Sequence, residues 1–304
     1  MKEKIKFAAA FMIIILFLPY VCVMLLHSDV QAEETFLTTT AEAGDTDVEV
    51  FVPGVLATQI SASEEPEMLK AQAVIVRTQI YKMMEEQGIT DLEAKHLSQY
   101  MSLNEMEKIW GYHKMQEYYE KYEKAAQETS GIVMKYQGKY IEPSYHAVSN
   151  GNSRNGNQVY HSEDYPYLEQ VENPYDILSE EYLKVTLFDK KAMAEKLSKA
   201  LGIENLSEDL MSQITCEEQD GAGYTTKVKV GDHIMAGEEF RKILELNSAC
   251  FELEEMDGKI RITTKGLGHG IGLSQFNANE MAKNGDDYQT ILSYYFKNIE
   301  YISE

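Results

Sequence analysis

Cations are scarce in this 304-residue chain: 28 Lys and Arg stand against 50 Asp and Glu, a net charge of −22. That balance excludes a nucleic-acid backbone as partner, because such binding needs a basic footprint. Cysteine is scarcer still, at three residues, which excludes a disulfide-built scaffold. Cys22 lies in an apolar run, and Cys216 and Cys250 are not spaced as zinc ligands. They form either one bridge or two free thiols. There is no internal repeat and no low-complexity block beyond a short N-terminal tether. Hydrophobic residues make up 44% and charged residues 26%, so the bulk of the chain can build an ordinary core.

The N-terminus differs in character. Lys2, Lys4 and Lys6 precede an uncharged run from Phe7 to Leu26, long enough to span a bilayer. The lysines orient the remainder outward. The alternative is a cleaved leader, since Val30-Gln31-Ala32 resembles a small-residue cleavage site. The expected organisation is residues 1–27 as cytoplasmic lysines and membrane anchor, 28–47 as a polar tether, and 48–304 as one mixed α+β extracytoplasmic domain.

Val48 to Val55 reads as a short β-rich segment, interrupted by Pro53-Gly54. Ser63, Glu64, Glu65 and Pro66 then form a helix-start signal with Ser63 as N-cap. Leu69, Ala73, Val76, Ile80 and Met83 follow at helical spacing up to Gly88, predicting an amphipathic helix. Lys70 and Arg77 are seven apart, so they share a face opposite that apolar stripe. A second helical region runs from Leu103 to Glu128, whose Trp110 and tyrosines read as packing residues. Two strands flank Gln137-Gly138, a helix is expected over 192–213, a strand, turn and helix follow, and a hairpin turns at Asp257-Gly258. The tail reads as a helix followed by a short strand.

Residues 266–285, GLGHGIGLSQFNANEMAKNG, place Gly266, Gly268, Gly270 and Gly272 around His269. Ser274 can cap the helix that follows, and Asn284-Gly285 closes it. Two readings are open: a ligand loop leading into a helix N-terminus, or a tight turn whose histidine bonds only backbone. A dinucleotide fingerprint is excluded, because it would need glycine at Ile271 or Leu273.

GLGHGIGLSQFNANEMAKNGDDYQTILSYYF resembles the C-terminal signature of the stage II sporulation protein D family, also called the SpoIID/LytB domain. GVLATQ with EMLKAQAVIVRT resembles that family's N-terminal helix, TSGIVMKYQGKYIEPSYHAVSNG its central hairpin and histidine loop, and YPYLEQVENPYD the segment after it. In order, these motifs cover most of residues 48–302.

The resemblance implies spore-wall peptidoglycan remodelling during engulfment. Its members characterised as enzymes resemble lytic transglycosylases, which cleave between N-acetylmuramic acid and N-acetylglucosamine using one carboxyl as acid and base. No metal or cofactor is implied. The family glutamate falls at Gln59, and an amide neither gives up nor accepts a proton near neutral pH. The implied alternative is therefore a silent glycan-binding partner of other wall hydrolases, unless Glu64 or Glu65 substitutes for the lost acid. The substrate-binding residues implied beside Gln59 are Lys70, Arg77, Tyr145, His146, Ser149, His269, Ser274 and Gln275. Zinc at His146 would need further ligands, of which His161 is the nearby candidate. The implied partners are peptidoglycan glycan strands, the membrane and other engulfment or wall hydrolase proteins.

Overall fold

The computed structural model describes residues 47–203, 206 and 209–304. The expected anchor and nearly all of the tether lie outside the described residues. Among those residues, no helix is long and apolar enough to cross a membrane. The mixture of helices and sheets is that of an α+β protein.

The first departure from the sequence reading comes at the start. Val48–Val50 forms a 3-10 turn, and Val52–Gln59 is a helix, α1, where a β-rich segment was expected. Pro53 sits in its first turn, where the missing N–H costs nothing. Val52 to Ala57 are all buried, so a helix, which satisfies its own backbone, suits the site better than an unpaired strand. At Gly54 a Cβ would lie 2.3 Å from the Tyr100 ring, so only glycine admits this contact.

Helix α2, Pro66–Gln87, ends at Gly88 in the left-handed conformation (φ 67°), as its sequence predicts. Its N-cap position is Glu65, not Ser63, whose hydroxyl instead meets that of Ser61 at 2.8 Å. Most of the helix between Met68 and Ile80 is buried, including Gln72, Arg77 and Thr78. It is the central helix of a core, not a surface helix with one apolar stripe. Packed on it are α1 and α4 (Tyr112–Glu128), and α3 (Leu103–Trp110), separated from α4 at Gly111, packs against α4.

Strands β1 (Ile132–Tyr136) and β2 (Lys139–Tyr140) turn at Gln137-Gly138, both with positive φ. Then follow β3 (Tyr145–His146) and the short α5 (Gly156–Tyr160). A second core is built from β4 (Leu183–Asp189), α6 (Lys190–Leu201), β5 (Ile214–Gln219), β6 (Thr225–Val230), β7 (His233–Ala236), α7 (Gly237–Leu244), β8 (Phe251–Met256) and β9 (Lys259–Lys265). Its sheets have the orders β4-β9-β8 and β5-β6-β7, and Phe240 and Phe251 stack at its centre. The helix expected over 192–213 ends at Gly202, in the left-handed region, and a separate 3-10 turn covers Leu210–Ser212. The Asp257-Gly258 hairpin forms as expected, with both residues at positive φ.

The chain then returns to the first core through β10 (Leu273–Ser274), α8 (Gln275–Lys283), α9 (Tyr288–Tyr295) and β11 (Glu300–Ser303), which pairs antiparallel with β1. Arg154 pins the two cores together. It pairs with Asp220 at 2.6 Å and Glu238 at 3.3 Å, and its guanidinium lies 4.9 Å from the centre of the Tyr224 ring. Cys216 and Cys250 are both free thiols.

Candidate functional site

Gln59 ends α1 at the point where several distant segments converge. Its Oε1 accepts a hydrogen bond from Gln72 Nε2 on α2 at 2.9 Å, and its Nε2 donates to Gln79 Oε1 at 3.4 Å. Gln72 and Gln79 are seven apart, hence on one face of α2. Gln275, the first residue of α8, donates to the Gln59 carbonyl at 3.0 Å and to Gln72 Oε1 at 3.3 Å. The position implied for the family acid is thus held in a network of amides.

The glycine loop delivers Gln275 to that network. β10 pairs in parallel with β3, Leu273 opposite Tyr145 and Ser274 opposite His146. This close approach explains Gly272: at φ 71° its absent Cβ would fall 1.9 Å from the Ser144 carbonyl oxygen. Likewise a Cβ on Gly268 would sit 2.8 Å from that of His146. The glycines therefore make room for the chain's own central loop, which favours the tight-turn reading over a ligand loop.

Two recesses meet at Gln59. One, of about 460 Å³, is lined by Gln59, Gln79, Lys82, Glu86, His96, Gln99, Glu142 and Tyr145, among others. Its wall mixes these polar groups with apolar residues such as Val55, Ile80 and Leu97, and its glutamates are already engaged: Lys82 pairs with Glu86 at 2.5 Å and with Glu142 at 3.2 Å. Burial pushes the Tyr145 hydroxyl up to about 12, so it remains a neutral donor. The other recess, of about 370 Å³, is lined by Gln59, Ser61, Trp110, Tyr118 and Tyr122. Trp110 and Tyr118 meet edge to face at 5.3 Å. Trp110 packs against the first core, as its sequence context suggests, and its half-buried ring also lines this recess. Ala62 joins the second recess to a third of about 290 Å³, which contains Glu64, Lys70 and Lys124. There burial raises the Glu64 carboxyl; Lys283 opposes the shift, and Glu280 and Glu65 reinforce it.

The residues implied as substrate-binding separate into two groups. Tyr145 and Gln275 reach the Gln59 site. Arg77 does not: it is fully buried, held in a fork by Glu49 at 2.6 and 2.7 Å, and donates to the Ala126 and Ile132 carbonyls. Lys70 lines the third recess but is paired with Glu67 at 2.7 Å and Glu128 at 2.6 Å. The pair on one exposed basic face is therefore corrected: sequence spacing could not reveal partners 28 and 58 residues away.

Ser149 and Ser274 are buried and both bond Asp176, at 2.6 and 2.8 Å. Ser274 holds the N-cap position of α8, yet its hydroxyl turns to Asp176 instead of capping. Both serines act as structural bonds between the central loop, the 176 turn and α8. His146 is buried against the glycine loop, its Nδ1 3.1 Å from the Ile271 carbonyl oxygen, and its Nε2 has no hydrogen-bond partner among the described residues. Its ring centre lies 6.0 Å from that of His269, whose Nδ1 accepts from the Ile271 N–H at 3.1 Å. Burial first, then the neighbouring His269, pulls His146 down to about 3; burial also lowers His269. Neither histidine lines the described recesses at Gln59. Among the described residues, no group of three or more His, Cys, Asp and Glu is placed to hold a metal ion.

A family profile described as "Stage II sporulation protein" matches residues 38–136. The chain is 34% identical over 264 residues to stage II sporulation protein D of Bacillus amyloliquefaciens, covering 84% of this chain and 74% of that one. The chain belongs to the stage II sporulation protein D family. The Bacillus subtilis (strain 168) member is 33% identical over 267 residues, with the same shares covered. An "Amidase enhancer" of the same organism is 26% identical over 291 residues, covering 80% of this chain and 39% of that protein. The part of this chain covered by the profile includes α1 and α2, and so the Gln59, Gln72 and Gln79 side of the amide network.

Proposed function

We propose that this chain binds peptidoglycan glycan strands during sporulation, in the groove that crosses Gln59, and that Gln59 holds sugar rather than protonating it. The observation that carries this reading is the amide network of Gln59 with Gln72, Gln79 and Gln275. Amides, a neutral tyrosine and an aromatic pair suit a polyhydroxylated ligand, offering donors, acceptors and a flat apolar surface. A lytic transglycosylase instead needs a carboxyl that is protonated at the moment of leaving-group departure. The carboxylates of the larger recess, Glu86 and Glu142, are both tied to Lys82.

A second reading keeps strand cleavage and moves the acid. It is favoured by Glu64, whose carboxyl is raised by burial in the third recess. Product analysis after incubation with purified peptidoglycan separates the two: release of 1,6-anhydro-muropeptides that Glu64→Gln abolishes supports a relocated acid.

The remaining parts of the proposal concern place and company. An uncharged run from Phe7 to Leu26 behind three lysines supports a single membrane anchor with the domain outside. Similarity to a protein named for enhancing an amidase supports other wall hydrolases as partners.

A further inference from the structure

Among the described residues no strand pairs with the outer edge of β4 in the β4-β9-β8 sheet, and that edge is apolar. Leu183, Val185 and Leu187 are 54%, 44% and 56% exposed, and as alternate residues they share one face. At the opposite edge, β8 carries Glu252, Glu254 and Glu255, charges that discourage pairing with another strand. On β4 the charges are Lys184, on the opposite face, and Asp189, at the end of the strand, so Leu183 to Leu187 present an uninterrupted apolar face.

The register shows which backbone groups are unpaired. The Gly266 N–H donates to the Tyr182 carbonyl at 2.7 Å, one step before Leu183 meets Lys265. Antiparallel pairs alternate between bonded and non-bonded. Lys184, Thr186 and Phe188 therefore bond β9, while the N–H and C=O groups of Leu183, Val185 and Leu187 point away from it. Among the described residues no strand takes them up. The same three residues thus supply exposed apolar side chains and unpaired backbone groups. Their spacing is symmetrical about Val185, so the edge is complementary to itself.

We propose that β4 pairs antiparallel with β4 of a second copy of this chain across a twofold axis at Val185. In that register Leu183 of one copy meets Leu187 of the other, and Val185 meets Val185. Each pair exchanges both backbone bonds, and Lys184 lies opposite Thr186, so no like charges face one another between Leu183 and Leu187; Asp189, at the end of the strand, falls opposite Glu181 in the same register. The interface is isologous and closes at a dimer. The next column on the same face is Arg261 and Lys265, on β9, so the chain's acidic surplus is not concentrated beside the seam.

The test is sedimentation of the full chain in mild detergent over a concentration series. Wild type is expected to dimerise. Leu183→Glu and Leu187→Lys are each expected to weaken the dimer roughly tenfold, by placing a charge against leucine. The double variant is expected to regain most of that loss, because the new charges are opposite in sign and face each other across the axis. A wild type that stays monomeric overturns the proposal. So does a dimer indifferent to both single changes, or a double variant no better than the singles. Thermal unfolding monitors the fold of each variant. Val185→Cys gives an independent check, since peptide mapping after oxidation finds a link between the two substituted positions only if they meet.

Discussion

Gln59 and Gln72 share a hydrogen bond of 2.9 Å across the junction of α1 and α2, in which the Gln72 amide donates to the Gln59 side-chain oxygen. Gln72 is completely buried, so this bond is one of the few ways its amide can be satisfied. That bond needs only an acceptor oxygen at position 59, which an amide or a carboxyl supplies alike; the bond that needs an amide is the one Gln59 donates to Gln79.

Gln72→Met is expected to lower unfolding free energy by about 1–3 kcal/mol, because it removes the donor to Gln59 and the acceptor for Gln275. Urea denaturation measures the loss. Glycan binding should weaken as well, since the Gln59 side chain loses its fixed orientation.

Arg77 and Lys70 should behave differently. Arg77→Met leaves Glu49 without its fork partner and strands buried carbonyls, at a cost of about 3–5 kcal/mol. Lys70→Met should cost about 1 kcal/mol or less, because its glutamate partners are partly solvated. If both substitutions instead left stability unchanged and impaired glycan binding equally, the groove role implied by resemblance would return.

That contrast shows what the sequence could and could not disclose. The Gly88 stop of α2, the turn at Gln137-Gly138 and the hairpin at Asp257-Gly258 were legible because each depends on residues adjacent in sequence. Arg77 was misplaced because burial depends on Glu49, Ala126 and Ile132, which no local pattern identifies. The burial of Ser149 and Ser274 escapes the sequence for the same reason: their common partner, Asp176, is 98 residues from Ser274. Gln79 and Gln72 were missed, although their seven-residue spacing on an expected helix was the available signal. Val48 to Val55 misled because β-branched residues favour strands only where a partner strand exists.

His146 should make stability depend on pH. Its folded value, about 3, is below the ordinary 6.5, so the native ring is neutral while the unfolded one binds a proton. Its contribution is fully present above about 6.5 and is lost as pH falls toward 3, with a slope of up to about 1.4 kcal/mol per pH unit. His146→Gln should flatten the difference in urea midpoint between pH 7 and pH 5. An unchanged slope would place the titration elsewhere.

Trp110→Ala should weaken glycan binding by roughly 1 kcal/mol, about fivefold in Kd, if sugar packs on the aromatic recess beside Gln59. Calorimetry with purified muropeptides reads the change, and the melting temperature checks that the fold is intact.

The most direct measurement is mass spectrometry of soluble products after wild type and Gln59→Glu are incubated with purified peptidoglycan. Wild type is expected to bind glycan without releasing 1,6-anhydro-muropeptides. Gln59→Glu is expected to release them, because it restores part of a general-acid contribution of about 10² to 10⁴-fold. Abundant anhydro products from the wild type would contradict this role of Gln59.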